Sequence, residues 1–131
     1  MVRRETLQEA GIGRGVIRHR VEARVLEPMY PGTYRFGTGP LSPLAEAAAA
    51  VLACGSGALL SYRSGLEVRS LLEMEAGNAW HVTVPNRRLR GPSARDCVRR
   101  GLRPIKVHFT SVLHDDEITE VEGVPVTSAA R

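Results

Sequence analysis

The chain has 131 residues, of which 43% are hydrophobic, and this is enough apolar material for one ordinary domain or two very small ones. Its 18 Lys and Arg residues outnumber 14 Asp and Glu residues, and the net charge of +4 favours polyanionic partners without requiring them. A disordered or fibrous protein is excluded by this composition, and no apolar run approaches the roughly 18 residues of a membrane span.

The beginning of the chain predicts two short helices. The first is expected from Arg3 to Glu9, and a glycine-rich turn follows it. The second is expected from about Arg14 to Glu22, where Ile17 and Val21 are four residues apart and share the buried face.

A hairpin is predicted directly after these helices. The segment Val25 to Tyr30 is extended, Pro31 and Gly32 form a turn, and Thr33 to Phe36 returns as a strand. Pro28 cannot donate a backbone hydrogen bond, so the first strand is restricted to a sheet edge. Together with the helices, this hairpin predicts a partial winged helix-turn-helix domain over residues 1–38.

Residues 37–40 predict a linker, and residues 41–131 predict a small mixed α/β domain. Its helices are expected from Ser42, as a cap, to Gly55 and from Tyr62 to Leu72. Four segments alternate as strands, namely Trp80–Val84, Ile105–Phe109, Ile118–Val121 and Val124–Thr127. The segment 86–103 is predicted as a loop because of its glycines and prolines. The fold class is therefore α+β.

Charge is distributed unevenly along the second part of the chain. Residues 86–106 carry a net charge of +7, and residues 107–131 carry a net charge of −4. The basic segment has three interpretations: a nucleic-acid contact, a flexible solvated loop, or an internal partner for the acidic residues. Seven arginines form it, namely Arg87, Arg88, Arg90, Arg95, Arg99, Arg100 and Arg103.

The second helix and the hairpin are the informative elements for function. In a helix-turn-helix protein the second helix enters the major groove, and flanking residues contact phosphates. The expected DNA contacts are four residues of the helix and one of the hairpin, namely Arg14, Arg18, His19, Arg20 and Arg35. The alternative interpretation is a solvated, Arg-rich helix face, and Glu22 on the outward face favours that alternative.

Motifs that would indicate catalysis are lacking, so we expect no catalytic residue, no metal site and no cofactor. Ser56 does not lie in the G-x-S-x-G frame of a nucleophile elbow. His81 and His108 each fall within a predicted strand, where a structural histidine is more common than a ligand. His114 next to Asp115 is expected to be part of a solvated acidic turn rather than a divalent-ion site.

The N-terminus predicts the cellular location of the protein, and the cysteine spacing predicts the redox state of its thiols. Met1 is followed by charged residues and no apolar segment, which excludes a secretory signal and predicts a cytoplasmic protein. Cys54 and Cys97 form neither a C-x-x-C motif nor a disulfide framework, so we expect two reduced thiols.

With these residues in view, the sequence resembles the AbiE-type antitoxin family of type IV toxin-antitoxin systems, in its winged-helix actinobacterial form. The matching stretches follow one another in order along nearly the whole chain. They are Gly11–Val21, Tyr30–Tyr34, Leu41–Gly55, Leu60–Ser64, His81–Pro85 and Gly123–Ser128.

The resemblance implies a regulator that binds operator DNA, represses its own promoter and opposes a nucleotidyltransferase-like toxin. Its recognition helix would be Arg14–Val21, and its wing would be Val25–Phe36. The expected partners are therefore double-stranded DNA and a cognate toxin. Two alternatives remain open: a protein-interaction module in which residues 41–131 bind the toxin, or a non-catalytic remnant of a nuclease-fused relative.

The sequence also departs from the family pattern at both ends. Relatives have a further helix before the position of Met1 and continue beyond Arg131, so we expect a chain truncated at both ends. Aliphatic side chains that this first helix would cover are then expected to lack a partner, and the first forty residues to be marginally stable alone. These side chains are Leu7, Ile12, Ile17 and Val21.

Overall fold

The computed structural model describes residues 1–70, 77–112 and 115–127. These ranges contain five α-helices, α1 (Arg4–Glu9), α2 (Arg14–Glu22), α3 (Pro43–Ala53), α4 (Tyr62–Val68) and α5 (Ala94–Arg99), and a short 3-10 helix at Asp115–Glu117. They also contain eight strands: β1 (Val2–Arg3), β2 (Leu26–Pro28), β3 (Thr33–Phe36), β4 (Leu59–Leu60), β5 (Trp80–Val84), β6 (Ile105–Phe109), β7 (Ile118–Val121) and β8 (Val124–Thr127). Within these ranges no helix has the length and apolar character needed to cross a membrane.

The strands form two sheets, and the protein is α+β as predicted. The first sheet has three antiparallel strands in the order β1-β3-β2, so β2 is the edge strand that Pro28 requires. The second sheet is mixed and has the order β6-β5-β4-β8-β7. In it β5 pairs with β6 and β4 pairs with β8 in parallel, whereas the β4–β5 and β7–β8 pairs are antiparallel.

The helix α3 begins where its sequence signals predict. The Ser42 hydroxyl accepts a hydrogen bond from the Ala45 amide at 3.1 Å, and Pro43 occupies the first helical position. Gly55, with φ at +101°, follows the last turn and ends the helix. The predicted bounds of α2, β3 and the four strands β5 to β8 are likewise confirmed.

Three predicted bounds were too long, and two strands were missed. The strand β2 covers three residues rather than the whole of Val25 to Tyr30, and α4 ends at Val68, whereas positions 71 and 72 lie outside the described residues. The first helix begins at Arg4 rather than Arg3, because β1 occupies the preceding residues. Both β1 and β4 have only two residues, too few to show an alternating pattern.

The prediction that segment 86–103 is a loop was wrong at α5. The Ser93 hydroxyl caps this helix by accepting a hydrogen bond from the Asp96 amide at 3.2 Å. Cys97, on the inner side of α5, is completely buried. The glycines and prolines that suggested a loop lie before and after the helix, so they mark its ends rather than interrupt it.

A small core joins α1, α2 and the first sheet. It contains Leu7, Ile17, Leu26 and Tyr34, and Ile12 and Val21 pack against it half-buried. Leu7 and Ile17 are only 5% and 4% exposed. The sheet therefore covers these two side chains, which were expected to lack a partner. Burial of each such side chain stabilises the fold by about 1.5–3 kcal/mol.

The second core lies between α3 and the five-stranded sheet, and it also receives the tip of the hairpin. Met29 and Tyr30 are buried in this core although they precede the predicted linker. The Tyr30 hydroxyl donates to the carbonyl oxygen of Arg103 at 2.6 Å, and an Arg100 guanidinium donates to the carbonyl oxygen of Met29 at 3.0 Å. The hairpin is therefore anchored in the second part of the molecule.

The two cysteines are both free and buried, as predicted for reduced thiols. Burial raises the pKa of the Cys54 thiol to about 12 and raises that of Cys97 as well. Because the thiolate is the reactive form, these pKa shifts make both side chains poor nucleophiles at neutral pH.

We expect Tyr30→Phe to lower the free energy of unfolding by about 1–3 kcal/mol, because the buried carbonyl oxygen of Arg103 loses its hydrogen-bond donor. Urea denaturation followed by far-ultraviolet circular dichroism measures this difference. Tyr62→Phe is the matched control, since the Tyr62 hydroxyl has no hydrogen-bond partner among the described residues and the side chain is half exposed. Equal stability of the two variants would show that the hydrogen bond does not anchor the hairpin.

Candidate nucleic-acid interface

The helices α1 and α2 are joined by a tight turn that fixes α2 on the first sheet. Gly11 has a φ of +88°, a value that L residues with side chains rarely adopt. The Ile12 amide donates to the carbonyl oxygen of Leu7 at 2.9 Å, and Gly13 then caps α2 in an extended conformation. Ile17 turns inward from α2, so the opposite side of this helix faces solvent.

The four predicted contact residues of α2 keep their side chains free of internal partners. Arg14, Arg18 and His19 are exposed, and Arg20 is half-buried. Among the described residues, none of these four side chains makes a hydrogen bond or an ion pair. They are therefore available to an external ligand.

A groove of about 580 Å³ lies between α2 and the first sheet. Arg14 and Arg18, one helical turn apart, line one side of it, and Arg4 lines another. The Arg4 guanidinium donates to the Tyr34 hydroxyl at 3.2 Å, and both residues line the groove. Three guanidinium groups thus line this groove, and Glu22 is the one carboxylate among the described residues that line it.

The predicted residues of α2 do not all face the same direction. His19 is two positions after the buried Ile17, so it lies on the side of α2 away from the groove. Gly15 and Val16 share that outer side, and Val16 is 45% exposed. Arg14 and Arg18 therefore form one surface with Arg4, and His19 belongs to another.

Arg35, the predicted contact on the hairpin, is engaged inside the protein. It lies directly opposite Glu27 in the β2–β3 pairing, and its guanidinium nitrogens Nη2 and Nε lie 2.6 Å and 2.9 Å from the Glu27 carboxylate. The same guanidinium donates to the carbonyl oxygens of Gly39 and Pro40. Arg35 therefore connects the hairpin to the segment that follows it. Because its guanidinium is bound internally, Arg35 does not belong to the exposed surface formed by Arg14, Arg18 and Arg4.

The arginines of segment 86–103 are divided between internal and exposed positions. Arg103 is buried and contacts Glu67, Arg100 binds the hairpin, Arg99 pairs with Asp96, and Arg87 lies 4.7 Å from the Phe109 ring. Exposed arginines with no side-chain partner among the described residues are Arg88, Arg90 and Arg95. The segment is thus partly structural, and its carboxylate partners include Glu67 and Asp96.

The parallel pairing of β5 and β6 brings together two histidines that the sequence placed in separate strands. His81 Nδ1 lies 2.9 Å from His108 Nε2, a hydrogen-bond distance. The register of the sheet creates this pair, and the only local signal for it is the presence of one histidine in each of two predicted strands. Among the described residues, no three His, Cys, Asp or Glu side chains converge as metal ligands. His114 lies outside those residues.

Burial lowers the pKa of both His81 and His108, and the nearby Lys106 ammonium lowers each of them further. As the pH falls below the ordinary value of 6.5, the unfolded chain therefore binds protons before the folded chain does. We expect the free energy of unfolding to be highest above this pH and to decrease as the pH falls to about 5. Urea denaturation at several pH values measures the slope.

His108→Gln should flatten that pH dependence, because it removes one histidine of the pair. His19→Gln is the matched control, since His19 is an exposed histidine outside the pair. A slope that is unchanged in His108→Gln would contradict the assignment of the pH dependence to the half-buried histidine pair.

Comparison with known proteins adds no relative to this description. No family model matches the sequence, and no curated protein matches it. A function for this chain is therefore inferred from its own residues.

Proposed function

We propose that the chain is a DNA-binding regulator of the winged-helix antitoxin kind, which binds duplex DNA through α2. The main support is the pair of guanidinium groups of Arg14 and Arg18, which lie one helical turn apart beside the groove and have no partner in the part of the chain that the structure describes. Guanidinium groups bind both guanine edges and backbone phosphates, which suits such a surface to a DNA groove.

The topology of the first part supports this proposal. Two helices joined by a tight turn are followed by an edge hairpin in a three-stranded antiparallel sheet, in the order β1-β3-β2. In a winged-helix protein with this element order, α2 would serve as the recognition helix and the hairpin would serve as the wing. His19 and Arg20 would contact phosphates at the edges of the bound site.

The biological role that we propose rests on the resemblance to the AbiE-type antitoxins. The chain would act in the cytoplasm, repress the promoter of a toxin-antitoxin operon and have no enzymatic activity of its own. Autoregulation requires specific binding to its own upstream DNA. Specific and non-specific duplexes must therefore be compared at the same salt concentration.

Fluorescence anisotropy with a duplex from the chain's own upstream region tests this proposal. We expect Arg14→Ala combined with Arg18→Ala to raise Kd by at least about tenfold. We also expect the slope of log K against log salt to decrease by about 0.9 for each phosphate contact that is lost.

The matched control is Arg90→Ala combined with Arg95→Ala. It removes the same charge from two exposed arginines that have no side-chain partner among the described residues. If both double variants weakened DNA binding equally, the binding would be due to general electrostatic attraction rather than to α2. Wild-type affinity after loss of Arg14 and Arg18 would remove α2 from the interface. Co-purification of the chain with a toxin, with no DNA binding, would instead favour a protein-interaction module.

A further inference from the structure

One face of the five-stranded sheet carries a cluster of three rings and a lysine. The parallel β5–β6 register places His81 beside Lys106 and Thr83 beside His108. Because alternate residues of a strand share a face, His81, Lys106 and His108 all lie on the face opposite Trp80, which packs against α3. Tyr62, the first residue of α4, lies against this face and completes the cluster.

The three rings are in direct contact. The Tyr62 ring centroid lies 4.5 Å from that of His108 and 6.2 Å from that of His81. The two imidazole planes are inclined by only 16°, with centroids 5.2 Å apart. These distances are within the normal range for aromatic pairs, so the rings form one continuous aromatic surface. We call Tyr62, His81, His108 and Lys106 the ring cluster.

The two histidine rings are arranged as hydrogen-bond partners rather than as two ligands of one metal ion. The centroid separation exceeds the 2.9 Å nitrogen separation by about the width of one imidazole ring, so the two nitrogens point at each other. One nitrogen donates an N–H and the other accepts it. Two imidazoles that bind one tetrahedral metal ion must instead direct their lone pairs toward a common point beside them.

The backbone beneath the ring cluster is held firmly by buried hydroxyl groups. The Ser64 hydroxyl accepts a hydrogen bond from the His81 amide at 2.7 Å. The Thr83 hydroxyl donates to that of Ser61 at 2.6 Å, and the Ser61 amide donates to the His81 carbonyl oxygen at 2.9 Å. These contacts fix the start of α4 on β5 and so set the position of the Tyr62 ring.

Tyr62 is held in a conformation that its size disfavours. Its φ is +51°, in the left-handed region that bulky residues rarely occupy. Burial does not compensate for this strain, because the side chain is 52% exposed. Strained residues of this kind cluster where a protein contacts a ligand.

The charges around the ring cluster favour an anionic partner. Lys106 is exposed, and its ammonium has no ion pair among the described residues. Glu67, the carboxylate nearest the cluster along α4, is 1% exposed and contacts the Arg103 guanidinium at 3.2 Å and 3.3 Å. Its negative charge is thereby offset internally. The lowered histidine pKa values keep both imidazoles neutral at physiological pH, so the cluster presents neutral rings beside the Lys106 ammonium.

We propose that the ring cluster is a binding site for single-stranded nucleic acid, separate from the duplex surface on α2. A nucleobase stacks on the exposed Tyr62 ring, and the Lys106 ammonium binds the adjacent phosphate. The outward nitrogens of the histidine pair lie beside the stacked base and supply a donor and an acceptor. A duplex is excluded as the ligand because stacking requires a base that is free of its partner strand.

Anisotropy of the full chain with labelled homopolymers of about eight nucleotides, oligo(dU) and oligo(rU), tests this proposal. We expect Tyr62→Ala to raise Kd by about tenfold or more for both strands, as loss of one stacked base predicts, and Tyr62→Phe to retain binding. Lys106→Gln should decrease the slope of log K against log salt by about 0.7, the value for one phosphate of a single strand.

Phe36→Ala is the matched control, because Phe36 is an exposed aromatic side chain on the hairpin. Circular dichroism establishes that each variant is folded. Retention of single-strand binding after Arg14→Ala and Arg18→Ala separates this site from the duplex surface. Tighter binding of oligo(rU) assigns part of the affinity to the 2′-hydroxyl, and equal binding assigns it to base and phosphate alone. Both results support the site.

Three results would overturn the proposal. They are the failure of the wild-type chain to bind either homopolymer at micromolar concentration, equal weakening by Tyr62→Ala and Phe36→Ala, and a histidine NMR response to Zn²⁺ but not to oligonucleotide. The last result would replace the single-strand site with a metal site. The NMR measurement reports on the His81 and His108 ring protons directly, so it remains informative if a variant fails to fold.

Discussion

The contacts of the buried residue Arg103 are the interactions on which the rest of the molecule depends. Its guanidinium contacts the Glu67 carboxylate and lies 3.6 Å from the centroid of the Trp80 ring, while its carbonyl oxygen accepts the Tyr30 hydroxyl. A carboxylate as buried as Glu67 requires such a partner, because an unpaired buried charge is strongly destabilising. One residue thus joins α4, the interior strand β5 and the tip of the hairpin.

The arginines of the chain fall into two groups, those that are bound internally and those that are exposed. Arg35 and Arg100 bind the hairpin to neighbouring segments, and Arg103 neutralises a buried carboxylate. Arg14 and Arg18 have no internal partner among the described residues and lie beside a groove. The first group stabilises the attachment of the first sheet to the second core. The second group is held on that attached sheet as an exposed cationic surface, which is the property that a DNA-binding helix requires.

The two proposed nucleic-acid surfaces use different chemistry. On α2 the ligand groups are flexible cations, which suit phosphates and base edges of a duplex. On the face of the second sheet that α4 partly covers, they are rings fixed by buried hydroxyl groups, with Lys106 beside them. A chain that binds both forms would distinguish paired from unpaired strands through separate sites, and each surface can be altered without the other.

Local sequence signals determined most elements of this protein. Ser42 and Ser93 both act as caps, yet only the first was used in prediction, because the glycines near Ser93 suggested a loop. Side-chain periodicity placed Ile17 inside and left Arg14 exposed. Tertiary structure alone decided the two-residue strands, the burial of Arg103 and the meeting of His81 with His108. These depend on which strands pair and in which register, and contacts between residues far apart in sequence leave no local pattern.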